Sequence, residues 1–393
     1  MPQHTDEHTG ARVARLRALR HLTQQGLADR AHVSVSLVRA VEQNRAPASA
    51  AFIGAVARAL SLPTTEITGQ PYIDELRQDQ LDGLIQPIRE ALDVYDLGAD
   101  PEVRPRPGSA LHAETERLCA ELRKTNIKLA ASELPALIHE ATTAAHLAPS
   151  SDSWGTLASA YRTAYDIATK LGYSDLATTA LDRVDWAAQR GGDASMGAFR
   201  QYLRGLAYLR AAQYRTGKRL VQLGLSTIEQ AEASRERDVV TGQLHLGAAI
   251  LAARDQRPDD ANSHLQEADR IAGQTGPAEQ VLWASFGPAN VVLHRVSAHI
   301  EMDAYDDAVR AAHGAQLNTL PPSRIAHHYA DVARAELWSG HADDAWTTLR
   351  KARATAPQQA RYSPVVRQTV EGLASHYRNL PDSFANYARW VGV

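Results

Sequence analysis

Apolar residues return every three or four positions in short bursts along residues 1–70: Val13, Leu16 and Leu19; Leu27 and Ala31; Leu37, Val38 and Val41; Phe52, Val56 and Leu60. That spacing predicts short helices, each burying one face. The breaks between bursts carry capping chemistry. Thr23 and Ser34 each stand one residue before a helical run, where a side-chain oxygen can accept an orphan backbone N–H. Pro47 and Ser49 separate the third and fourth helices, and Pro63 closes the fifth unit.

Further along, Ile73, Leu76, Leu84, Ile85, Ile88 and Leu92 predict an amphipathic helix over 73–95, followed by a Pro- and Gly-rich stretch, LGADPEVRPRPGSA. From Leu111 onward the pattern is helical and repetitive. Asp259-Asp260-Ala261, Asp306-Asp307-Ala308 and Asp343-Asp344-Ala345 each follow an Ala-rich helix and a short turn. Ser174-Asp175-Leu176-Ala177 is a weaker copy. First helices are expected to begin near Trp154, Met196, Arg237, Gln280, Ser323 and Tyr362, a period of about forty residues. The acids fall at helix N-termini, where they favour the dipole.

Composition agrees with helices: aromatic residues are only 6% of the 393, while hydrophobic residues reach 44%. The single Cys119 excludes an internal disulfide and is expected as a small apolar residue on a helix. The polar start MPQHTDEHTG is not a signal peptide, and no apolar run approaches the roughly 20 residues that span a bilayer. A cytoplasmic protein with no membrane partner is expected. The net charge of −3 is uneven: residues 1–70 hold eight Arg against five acids, a net +3, so the remainder carries −6. A basic head on an acidic body suits a polyanion at one end.

The head resembles the Cro/CI-like, or xenobiotic-response-element, helix-turn-helix family. The matching residues are Arg12 and Leu16, Leu22-Thr23-Gln24, Leu27-Ala28, Val33-Ser34, Val38 and Glu42, Pro47, and Leu60 with Leu62-Pro63. Asn44 stands where the family usually has Gly, and Asn tolerates a left-handed backbone. The resemblance implies a five-helix domain at 1–70 whose third helix enters the major groove of double-stranded operator DNA, nucleoid-associated in the cell. Val35, Ser36 and Arg39 would then face base edges, Arg39 by bidentate pairing with guanine. Ser34 and Gln24 would sit against phosphate at helix N-termini, with Gln43, Asn44 and Arg45 beside the backbone. An alternative for Arg39 is an ion pair with Glu42 three residues on. Family members usually bind as homodimers. The 71–108 segment, linker helix plus loop, either helps dimerise or packs on the first repeat.

Residues 109–393 look like lengthened tetratricopeptide-type hairpins. Trp154-x-x-Leu157-Ala158-x-x-Tyr161 fits the first helix, Ala308 and Ala345 the small residue of the second, and Pro357 the terminal proline. The fold class expected is therefore all-α: a helix-turn-helix domain followed by an α-solenoid with a concave face. Phe286-Gly-Pro-Ala-Asn290-Val-Val-Leu-His294 resembles a recurring feature of a large group of actinobacterial regulators with this architecture. If helical, Phe286, Asn290 and His294 share one face and form a candidate effector site, with Arg162, Tyr165, Arg200 and Arg204 lining the same groove. Inter-repeat packing is the competing role. The architecture is similar to that of peptide-sensing regulators, which implies a peptide or small-molecule effector. A DNA-associated scaffold with a protein partner in the groove is the alternative. No P-loop, dinucleotide fingerprint, nucleophile elbow or HExxH occurs, and His327 with Asp331 offers too few ligands for zinc, so neither an enzyme, a cofactor nor a metal is expected.

Overall fold

The computed structural model describes residues 7–376 and 381–393, in which helices are the only extended elements and one isolated bridge joins Ala278 to Phe286. Most of the polar start read above, residues 1–6, lies outside the described residues.

Five helices form the head: α1 (Thr9–Leu19), α2 (Gln24–Ala31), α3 (Val35–Glu42), α4 (Ala50–Leu60) and α5 (Thr64–Thr68). The caps fall where the sequence places them. Thr23 Oγ1 accepts from the Gly26 amide at 2.9 Å, Ser34 Oγ from Leu37 at 3.2 Å and Ser49 Oγ from Phe52 at 3.1 Å. Each satisfies a donor that the first helical turn leaves open. Val13, Leu27, Val38, Val41, Phe52, Val56 and Ile67 close a small core of their own. Asn44 adopts the left-handed backbone expected of it, with φ 54°.

The expected helix over 73–95 is broken into α6 (Ile73–Gln78) and α7 (Ile85–Asp93), joined by a single 3-10 turn at Asp82–Leu84. Gln80, at φ 58°, ends the first piece. Leu76, Ile85, Ile88 and Leu92 are buried in one cluster with Leu118, Leu134, Leu157 and Val184. The apolar stripe of this segment thus packs within the chain.

The array continues as α8 (Gly108–Arg123), α9 (Ile127–Leu147), α10 (Ser151–Leu171), α11 (Ser174–Gly191), α12 (Ala194–Arg210), α13 (Tyr214–Ile228), α14 (Arg235–Arg254), α15 (Pro258–Thr275), α16 (Pro288–Glu301), α17 (Tyr305–Ala312), α18 (Pro322–Trp338), α19 (Ala342–Thr355), α20 (Pro357–Arg361), α21 (Pro364–His376) and α22 (Asp382–Val391). The three Asp-Asp pairs lie in the first turns of α15, α17 and α19, and Ala261, Ala308 and Ala345 beside them are fully buried. Short side chains there let paired helices approach, while the acids stay at the positive helix ends. One expected start is displaced: the first helix of the fifth hairpin begins at Pro288, not near Gln280, because residues 276–287 leave the helical path. Cys119 is buried on α8, its Sγ 3.2 Å from Thr163 Oγ1, and burial raises its pKa.

The far end of the array returns to its beginning. Gln358 Oε1 on α20 accepts from the Ile127 amide at 2.9 Å. Gln359 takes the Lys170 ammonium of α10 on one side and donates to the Ser323 carbonyl of α18 at 2.7 Å on the other. Arg361 pairs with Asp79 at 2.6 Å, and Arg367 of α21 with Glu75 of α6. The superhelix is closed into a ring with an interior. Among the described residues, no helix is long and apolar enough to cross a membrane.

Candidate DNA-binding face and the interior of the array

α2 and α3 are joined by a tight turn in which His32 takes φ 54°. Leu27 and Val38 lock them together, both without exposed surface. Their outward side presents Ser34, Ser36, Arg39, Gln43 and Arg45, all exposed, with Gln24, Val35 and Asn44 half-buried. Ser34 holds the cap of α3 and shares its hydroxyl with Ser36 at 3.0 Å, and Arg45 donates to Gln43.

Arg39 does not pair with Glu42. Glu42 turns inward to Arg17 of α1, with Nε–Oε1 at 2.6 Å and Nη2–Oε2 at 3.0 Å, its side chain only 4% exposed. That bond and the negative charge raise the Arg17 pKa. Gln24 Nε2 also donates to Glu42, at 2.8 Å, which leaves Gln24 Oε1 facing Arg39 Nε at 3.5 Å. The chain Arg17–Glu42–Gln24–Arg39 therefore ties the outward guanidinium to the domain core. Sequence reading missed Arg17 because its partner lies 25 residues away, beyond any helical spacing.

The head docks on the array through other surfaces. Arg58 Nη1 of α4 donates to the Ala212 carbonyl between α12 and α13 at 3.0 Å. A Cβ on Gly54 would lie 2.3 Å from that of Ala212, so only glycine admits this approach. Glu371 of α21 is buried beside Thr9 at the start of α1, and burial raises its carboxyl pKa. Contacts fall on α1 and α4, while the N-terminal half of α3 faces away.

In the array, the expected common face of Phe286, Asn290 and His294 is not formed. Phe286 precedes α16, its carbonyl accepting from Ala278 at 2.8 Å, and its ring lies on Gly242 of α14. A Cβ at Gly242 would stand 2.1 Å from Phe286 Cζ. Gly287, at φ 149°, breaks the helix between Phe286 and Asn290. Asn290 and His294 do share α16, both buried. His294 Nδ1 is 2.8 Å from the Asn290 carbonyl, and Asn290 Oδ1 takes both Nε and Nη2 of Arg324 at 3.0 and 2.8 Å. Burial, reinforced by Arg324, lowers His294 to about 3.

The four residues expected to line one groove each have a different partner. Arg162 points to the ring interior and donates to the Leu282 and Trp283 carbonyls, the latter at 3.3 Å. Arg200 turns to α11, meeting Leu181 O at 2.9 Å, Asp182 at 3.1 Å and Asp185 at 3.2 Å, and Arg204 bonds Gln201. Tyr165 is buried with its hydroxyl 3.4 Å from Leu203 O. The segment 276–287 was not foreseen as an interior element. Leu282, Trp283 and Ser285 all have φ between 45° and 59°, each costing about 1 kcal/mol or more. Arg162 and a Trp283 indole bond to Glu116 of α8 at 3.1 Å hold it across the ring. His327 Nε2 lies 3.7 Å from Asp331. Among the described residues no three or more His, Cys, Asp or Glu gather to hold a metal.

Residues 8–68 match the family model described as a helix-turn-helix domain. No curated protein matches the chain. Similar solved structures include BtubC (BKLC) from P. vanneervenii, at 14% identity over 61% of this chain and 90% of that one, with TM-score 0.37. PlcR from Bacillus thuringiensis, in complex with the peptide PapR7 and DNA, is 14% identical over 78% and 93%, with TM-score 0.31. The apo competence regulator ComR from Streptococcus vestibularis is 11% identical over 94% and 98%, with TM-score 0.36. The five amino-terminal helices are a helix-turn-helix domain carried on a helical repeat array.

Proposed function

We propose that the chain is a sequence-specific transcriptional regulator of the cytoplasmic nucleoid. Residues 1–70 read operator DNA, 71–108 connect, and 109–393 sense a peptide or small-molecule signal and pair two copies. The observation that carries this reading is the exposure of Ser36 and Arg39 on α3 while the head is docked through α1 and α4. A helix presented this way can enter a major groove without leaving the array. Arg39 then meets a guanine edge, and Ser34, Ser36 and Val35 flank it. Gln24 orients Arg39 from behind, its amide being engaged by Glu42, and Gln43, Asn44 and Arg45 follow the backbone.

Docking gives the array a means of control. Two heads on one operator must sit about 34 Å apart, one turn of the duplex. Arg58–Ala212 and Glu371–Thr9 fix each head to separate parts of the ring. A signal that changes the ring's shape shifts the heads and changes operator affinity by its differential binding to the two shapes. Genome-wide footprinting of wild type against Arg39→Ala tests the reading. Loss of discrete sites supports it, and an unchanged footprint, or no salt-sensitive affinity for any duplex, overturns it.

A further inference from the structure

The ring interior carries cations without matching carboxylates. Arg123 of α8 and Arg162 of α10 share the single carboxylate of Asp166, at 3.5 and 3.4 Å. Lys170, one turn further along α10, has the neutral Gln359 Oε1 as its partner, and Arg324 of α18 the neutral Asn290 Oδ1. Among the described residues neither Lys170 nor Arg324 has a carboxylate within 4.0 Å. The nearby acids are committed: Asp331 to Ser297 at 2.8 Å, His327 and Arg334, and Glu116 to Trp283.

These groups face one another across the interior. Burial first, then the charges of Arg123, Arg324 and Arg210, hold Lys170 down to about 8, and burial brings Arg123 to about 10. Lys170 and Arg324 are both half-buried, and a cation partly withdrawn from water without a counter-ion is disfavoured unless another group neutralises it. Two further polar atoms are buried there without a partner, Asn290 Nδ2 and Ser323 Oγ, in residues 1% and 3% exposed. Both adjoin Arg324, through its acceptor and its chain neighbour. The space is open to solvent, since the His327 side chain keeps 52% of its surface.

We propose that the interior between α8, α10, α18 and α20 binds an oxyanion, a phosphate or carboxylate group of a small ligand, with Lys170 and Arg324 as its principal contacts. This rests on the sensing role proposed above and gives that signal a chemical class. The oxyanion supplies the missing negative charge, and its lone pairs match the Nη edge of Arg324 that Asn290 leaves open and the ammonium of Lys170. It also joins α10 to α18, which Gln359 bridges through Lys170 and the Ser323 carbonyl, so occupancy tightens ring closure.

The test is thermal unfolding of the full chain at constant ionic strength with pyrophosphate, citrate, and trialanine bearing either a free or an amidated carboxyl terminus. Wild type and an Arg270→Met surface control are expected to gain a few degrees, saturably, from at least one anion. Lys170→Met and Arg324→Met should weaken that apparent affinity about tenfold or more. Pyrophosphate acting alone assigns a phosphate ligand; free but not amidated trialanine assigns a peptide terminus. Absence of any saturable shift in wild type, or an equal shift in both variants, overturns the site. Should a variant fail to fold, wild type still decides: acetylation of Lys170 at pH 8, followed by mass spectrometry, must slow several-fold with the anion, and unchanged labelling refutes the contact. Anion binding that leaves operator affinity unaltered removes the sensing role and keeps the site.

Discussion

Lowering the pH from 7 to 5 should destabilise the folded chain by about 2 kcal/mol through His294 alone. The ring is buried on α16, and Nδ1 lies 2.8 Å from the Asn290 carbonyl, so Nδ1 carries the proton and donates it. Burial and the neighbouring Arg324 hold its pKa at about 3, against 6.5 in the unfolded chain. A depressed folded pKa means that the unfolded state takes up the proton first. Stability is complete above 6.5 and falls as the pH drops below it. At pH 5 the unfolded histidine is protonated by a factor of about 30 while the folded one stays neutral, and RT ln 30 is about 2 kcal/mol. Urea unfolding followed by circular dichroism at pH 5, 6 and 7 measures this in wild type and His294→Gln. The variant should lose about 2 kcal/mol less over that range, whatever its absolute stability. His328, lowered to about 4 mainly by burial, contributes the same way in both proteins. Glu371, raised by burial, acts in the opposite sense: the stability it contributes is greatest at low pH and is lost as pH rises through its folded pKa. It too cancels in the comparison. Parallel pH profiles for the two proteins would refute a neutral, buried His294.

Arg39→Ala should cost about 1–3 kcal/mol on operator DNA and less on random duplex in a titration at fixed salt; equal losses would make Arg39 a phosphate contact. Glu42→Ala leaves Arg17 and Gln24 facing an empty site in the head, a loss of about 3 kcal/mol, and hydrogen exchange should quicken across α1 and α3. Exchange confined to α3 would show that the pair does not join the two helices. Gly242→Val drives a side chain into Phe286 and should lower stability by about 1–3 kcal/mol, read by thermal unfolding, with increased protease cleavage within 276–287. Unchanged cleavage would mean that Phe286 does not anchor that segment. Gly54→Leu clashes with Ala212, and small-angle scattering should report a larger radius of gyration as the head leaves the array; an identical curve would place the head's anchorage elsewhere.

What the sequence determined by itself is whatever acts over one or two helical turns. Thr23, Ser34 and Ser49 cap their helices because a side-chain oxygen reaches an amide three residues ahead. Asn44 turns left-handed because its short polar side chain tolerates that backbone. The Asp-Asp-Ala triplets mark second helices through the local dipole and the size of one methyl group. All-α architecture and the amino-terminal helix-turn-helix were therefore legible, as were Arg39 and Ser36 as exposed positions. Tertiary structure alone decided where charges find partners and what lies inside the ring. Glu42 chose Arg17 rather than Arg39, and Phe286 left its expected helix because Gly242 offers a flat bed that a helical pattern cannot reveal. Gln358 meets Ile127 across 231 residues, so nothing in the spacing of either segment announces that the solenoid closes or that Lys170 and Arg324 face a common interior. Helical periodicity encodes which face is buried; the partner buried against it depends on how successive hairpins curve, and small rotations at each repeat accumulate over the whole chain.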